Sequence, residues 1–113
     1  MEQVLEWVAQ DARVLASAGA DAILVENYGD VPFAVASSPP ETIAAMTLAV
    51  AQAMRSLAGQ ASSIPVGVNV LRNDAAAAVA IAAATGASFI RVNVHCGVAF
   101  AGEGIVEGRA HET

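Results

Sequence analysis

Two stretches of this chain repeat one phrase, a helical pattern closed by glycine and followed at once by a short apolar run. It reads Gly19-Ala20-Asp21-Ala22-Ile23 in the first case and Gly86-Ala87-Ser88-Phe89-Ile90 in the second. Glycine supplies the left-handed backbone conformation in which a Cβ would clash, so each phrase turns a helix tightly into a strand. Apolar strands separated by helices pair in parallel through right-handed crossovers. The repeat therefore confines the chain to α/β folds, either an open doubly wound sheet or a run of units from a (βα)8 barrel.

The elements between these turns follow from spacing. Val4, Leu5, Val8, Ala12, Leu15 and Ala16 recur at helical intervals among Glu6, Gln10 and Arg13, which predicts an amphipathic helix over 3–18. Residues 20–27 form a buried strand that turns polar at its end. Ser38-Pro39-Pro40-Glu41 has the pattern of a capping box, with a hydroxyl for the third amide, a carboxylate reaching back and Pro where no amide is needed. A long helix is expected from there to about Ala58, stopped by Gly59. Ile64 to Leu71 is a second strand, Asn73 and Asp74 open an Ala-rich helix closed by Gly86, and Ala87 to His95 is a third strand. The predicted order is αβαβαβ.

Parity within the strands separates the two architectures. Arg91, Asn93 and His95 alternate with Ile90, Val92 and Val94, so one face of the third strand is polar and the other aliphatic. Gly67, Asn69 and Leu71 oppose Val66, Val68 and Val70 in the second strand, and Leu24 and Glu26 oppose Ile23 and Val25 in the first. Helices cover the aliphatic side. A barrel lumen explains three strands pointing polar groups the same way, whereas an open sheet packed under helices on both faces does not. The fold class expected is α/β, as a partial (βα)8 barrel with about three parallel strands and outer helices. A closed barrel takes roughly 250 residues, so this chain of 113 is expected to be a fragment, 1–113 of one barrel domain, lacking a first strand and the C-terminal half.

Composition removes several function classes. All five basic residues are Arg and the net charge is -6, which repels a phosphate backbone over most of the surface, so a nucleic-acid partner is not expected. No window approaches the ~18 consecutive apolar residues of a membrane span, and the start, Met1-Glu2-Gln3, lacks a basic leader pattern. Cys96 is the one cysteine, which excludes an intrachain disulfide and fits a cytoplasmic protein. With two unpaired sheet edges, pairing with a second copy or a complementary barrel half is expected.

Candidate chemistry collects at the C-terminal ends of the strands. Glu26 and Asp30 bring two carboxylates to that rim, from which a general base or a metal-binding pair can be built; as structural residues, Glu26 would pair with Arg91 and Asp30 would close a turn. The loop holding Asn27, Tyr28, Gly29 and Asp30 is longer than the ~2 to 6 residues usual between strand and helix, and such length tends to serve a site. Arg72, Asn73 and Asp74 open a helix where amides and a guanidinium can hold an anion, although Asp74 is equally a good cap. Asn69 is a buried amide that needs partners from substrate or a neighbouring strand. Asn93 and Arg91 share its face. His95 can shuttle protons, and Cys96 is a nucleophile only if a base activates it; a lone Cys there is more often a small packed residue. His95, Glu107 and His111 have no spacing diagnostic of a metal. The loop containing Gly102 and Gly104 lacks a phosphate-binding fingerprint and reads as mobile.

Several runs resemble the BtpA/SgcQ family across almost the whole chain and in the same order. They are Val25-Glu26-Asn27-Tyr28-Gly29-Asp30-Val31-Pro32-Phe33, Gly67-Val68-Asn69-Val70-Leu71-Arg72-Asn73-Asp74, Phe89-Ile90-Arg91-Val92-Asn93-Val94 and Glu107-Gly108-Arg109-Ala110-His111-Glu112. The resemblance implies a barrel of the ribulose-phosphate-binding kind, in a family named for photosystem I biogenesis and spread well beyond photosynthetic organisms. It assigns no reaction and no cofactor. This chain departs from the family pattern at Tyr28, where Phe is usual, and at His95-Cys96, where a Leu-Thr-like pair is expected.

Two function classes follow. One is an enzyme or binder acting on a small sugar-derived or phosphorylated metabolite, with Glu26, Asp30 and His95 as acid–base candidates and Asn27, Asn69, Arg72, Asn73, Asp74, Arg91 and Asn93 around the ligand. The other is a non-catalytic assembly or stability factor of the photosystem I biogenesis type, peripheral to a membrane, or a truncated inactive fragment. Lumen-facing polar residues favour the first, because a scaffold can fill its barrel with aliphatics.

Overall fold

A computed structural model describes residues 1–59 and 63–113. The elements are α1 (Glu2–Ser17), β1 (Ile23–Glu26), α2 (Pro40–Leu57), β2 (Val66–Asn69), α3 (Ala75–Thr85), β3 (Phe89–Ile90), β4 (Val98–Ala101) and β5 (Gly104–Glu107), with a 3-10 turn at Ala110–Glu112. Gly19 and Gly86 take positive φ, 89° and 81°, at the two helix-to-strand turns where the repeated phrase demands it.

β1, β2 and β3 form a parallel sheet in the order β1-β2-β3, and β4 and β5 form a separate antiparallel hairpin. Sequential order with right-handed crossovers sends successive helices to one side of a sheet. The core bears this out, because Ile23, Val66, Val68 and Val70 pack with Ala12 of α1, Met46, Val50, Ala53 and Leu57 of α2, and Ala77, Ala78 and Ile81 of α3. Val25 and Ile90 join from the same face. Small residues at the helix contacts let the backbones approach closely, so a chain poor in aromatics still excludes water from its centre. On the opposite face Leu24, Gly67 and Phe89 stand in one row. A Cβ on Gly67 would fall inside the Phe89 ring, which is why the middle position of that row is glycine.

Three sequence expectations are corrected. Ser38 does not cap α2: the helix starts at Pro40 with Pro39 as its N-cap and no side-chain cap bond. The Ser38 amide instead donates to Asp74 Oδ2 at 2.6 Å, which fixes Ser38 outside the helix, and Pro39 carries the first carbonyl acceptor in an extended conformation. The third strand is far shorter than Ala87 to His95. Past Ile90 the pairing ends with Arg91 N–H on the Val68 carbonyl, and the side chain of Asn73, not a backbone, meets Val94. The glycine-punctuated segment read as a mobile loop is the β4–β5 hairpin, whose Val106 is fully buried.

Candidate functional site

Glu26 ends β1 and Asn69 ends β2, and the two are register partners across the parallel pair. Because they share a row, the Asn69 amide nitrogen donates to Glu26 Oε1 at 2.6 Å; its other bond, at 2.9 Å, goes to Asn93 Oδ1 beyond β3. Arg91, the residue after β3, reaches the same Glu26 Oε1 at 3.5 Å. Both contacts on Glu26 thus fall on one carboxylate oxygen. Asn69 is 1% exposed, at the centre of this constellation, while Glu26 and Arg91 remain partly open to solvent. The structure therefore brings Glu26, Asn69, Arg91 and Asn93 together on the face opposite the helix-packed core, at the strand C-termini.

The neighbouring candidates hold backbone. Asn27, buried, accepts from the Leu71 amide at 2.7 Å and donates weakly to Asp30 Oδ2 at 3.4 Å, tying the loop after β1 to the end of β2. Asp74 caps α3 through Oδ1 on the Ala77 amide at 2.9 Å, while Oδ2 takes Ser38 N–H. Asn73 bonds both the N–H and the C=O of Val94 and touches the Glu107 carbonyl, acting as a strand surrogate beside the segment after β3. Asp30 is exposed and lines a cavity of about 200 Å³ with Asn27, Phe33, Ser38, Thr42 and Leu71. The Ser38 hydroxyl is buried without a hydrogen-bond partner among the described residues.

His95 takes no part in the hydrogen bonds that join this group. It is exposed, with Nε2 3.0 Å from Thr113 Oγ1 and Nδ1 3.8 Å from Cys96 Sγ. Cys96 is exposed, which corrects its reading as a small packed residue. Among the described residues no group of three or more His, Cys, Asp or Glu is arranged to hold a metal ion, and no helix is long and apolar enough to cross a membrane.

Arg72 has a partner the sequence reading missed. Its guanidinium meets Glu103 in a two-pronged pair, Nε to Oε2 and Nη2 to Oε1, each 3.1 Å, and its Cζ lies 4.9 Å from the centre of the Phe33 ring. Arg72 beside Glu103 holds that carboxyl below its ordinary value. Glu103 sits in the two-residue turn between Ala101 and Gly104. The signal was present: apolar runs on either side of Gly102-Glu103 are the pattern of a tight hairpin.

A family model described as the BtpA family matches residues 1–113. The chain belongs to the BtpA family. Among its BtpA-like relatives, an uncharacterized protein of Pyrococcus furiosus is 50% identical over 98% of this chain and 40% of its own length. An uncharacterized protein of Thermococcus kodakarensis shows the same identity and coverage. The photosystem I biogenesis protein BtpA of Synechocystis is 47% identical over 96% of this chain and 36% of its own length. The chain thus spans about two-fifths of the length of these relatives. No solved structure matches it.

Proposed function

We propose that this chain is part of a BtpA-family (βα)8 barrel whose polar lumen face binds a small sugar-derived or phosphorylated metabolite at the strand C-termini. The observation that carries the reading is Asn69: a buried amide in the central strand, on the face opposite the helix-packed core, joining a carboxylate to a second amide. A buried polar network of this kind is costly unless every member is satisfied, and an aliphatic lumen would avoid that cost. In this reading Glu26 is the general base, using Oε2, the oxygen that neither Asn69 nor Arg91 occupies. Asn69 holds the carboxylate in place and Asn93 orients substrate. Arg91 and Arg72 attract its anionic group, while Asn27, Asn73 and Asp74 shape the rim. Asp30, exposed on the loop after β1, and His95, exposed beside Thr113, are the secondary acid–base candidates of this reading.

A second reading, as a non-catalytic assembly factor, is favoured by the name of the Synechocystis relative, a photosystem I biogenesis protein. A thermal-shift screen of the full-length protein against a metabolite library separates the two. Stabilisation by a small phosphorylated or polyhydroxylated compound supports the site. Stabilisation by no member of the library favours the assembly role.

A further inference from the structure

We propose that Arg72 is an anion-binding residue kept closed by its own hairpin, with the Glu103 carboxylate seated where the carboxylate or phosphate of a ligand would bind. The inference rests on the metabolite-site reading above and specifies how that site is regulated. Three observations carry it. The guanidinium fork faces both oxygens of Glu103 at equal distances of 3.1 Å, the arrangement in which Arg recognises a planar carboxylate or two oxygens of a phosphate. Phe33 lies against the guanidinium, so the fork is held in position from the loop side and stays formed when its partner leaves. Arg72 follows β2 by three residues, at the end of the sheet where Glu26 and Asn69 also sit.

In this proposal the hairpin that carries Glu103 is the moving part. Val98, Phe100 and Ile105 share its outer face and are all exposed, Phe100 to 86%. Beyond Glu103 it is tied to the rest of the fold by buried Val106 and by a 3.3 Å contact from Asn73 to the Glu107 carbonyl, while the Gly108 amide on the Gly97 carbonyl closes the hairpin on itself. A ligand anion entering the fork displaces Glu103 and frees the turn. Glu103 in turn keeps Arg72 from holding stray anions when the site is empty.

The test uses the full chain at fixed ionic strength set with sodium chloride, because exposed pairs are screened by salt. Inorganic phosphate and acetate are titrated separately by calorimetry into the wild type, Glu103→Gln, Arg72→Gln and Arg72→Lys. Hydrogen exchange of the β4 and β5 amides is followed alongside. Glu103→Gln is expected to bind at least one of the two anions about three- to tenfold more tightly than the wild type, the scale of a released partly exposed ion pair. Arg72→Gln should abolish binding and Arg72→Lys weaken it, since an ammonium keeps the charge but loses the fork. In the wild type the bound anion should speed exchange in both hairpin strands. Unchanged affinity in Glu103→Gln with binding lost in Arg72→Gln overturns the latch while leaving Arg72 as the anion site. Equal binding by Arg72→Gln, or no binding by any variant, overturns both.

Discussion

At Glu26 charge and shape can be separated, because Asn69 and Arg91 both contact the same oxygen and a glutamine can present a carbonyl there. Glu26→Gln is expected to remove turnover, or the ligand-induced rise in melting temperature, at a stability cost of no more than about 1 kcal/mol. A large fall in melting temperature with ligand response intact would make Glu26 the structural partner of Arg91 instead. Asp74 is the opposite kind of residue, since both of its oxygens hold backbone amides. Asp74→Ala should cost about 2 kcal/mol in a denaturant titration, the upper range for a lost cap, because the Ser38 amide also loses its acceptor. Glu103 adds a pH dependence. Its carboxyl titrates below the ordinary 4.5 when folded, so the folded state binds fewer protons there than the unfolded chain. The stability due to the pair is complete above about pH 4.5 and is lost as pH falls through the lowered value. Glu103→Gln should flatten that part of the acid-unfolding curve, which an acid titration by circular dichroism reads directly.

At the scale of elements, what could be read in advance was what local sequence determines. Gly19 and Gly86 marked the helix-to-strand turns because glycine takes that conformation most easily, and strand parity named Ile23, Val25, Val66, Val68, Val70 and Ile90 as facing the helices because the period of a strand is two; Val92 and Val94, which the same alternation named, lie past the end of β3. Cross-chain contacts were not legible in that way. Ser38 looked like a cap, yet an aspartate 36 positions away holds its amide. The third strand looked long because its alternation continues to His95, but pairing stops at Ile90 and Asn73 takes over from the ladder. Glu26, Asn69 and Asn93 were each suspected from residue type, whereas the Arg72–Glu103 pair needed the hairpin to be recognised first. Gly67 carries an element-scale prediction. Gly67→Ala should push Phe89 aside and cost about 1–3 kcal/mol, and Phe89→Ala in the same chain should recover most of that loss in a double-mutant cycle.

For the whole molecule, among the described residues the sheet packs its helices on one face, and β1 and β3 each pair on one side only. α3 is apolar around its full circumference, with Val79 exposed on its outer side, and Trp7 and Val4 of α1 are exposed as well. Open edges and uncovered apolar surface favour association, so the 113-residue chain is expected to self-associate at micromolar concentration, with a sedimentation coefficient that rises with concentration. The central claim concerns the other face, where Asn69 joins Glu26 to Asn93. It is tested most directly by nuclear magnetic resonance of the full-length protein, following the side-chain amide signals of Asn69 and Asn93 during titration with a panel of sugar phosphates. At least one compound should shift both signals together while the amides of Val50, Ala78 and Ile81 in the helix-facing core stay still. Compounds that bind yet leave both asparagine signals unmoved, or a panel in which nothing binds, would contradict a metabolite site on this face.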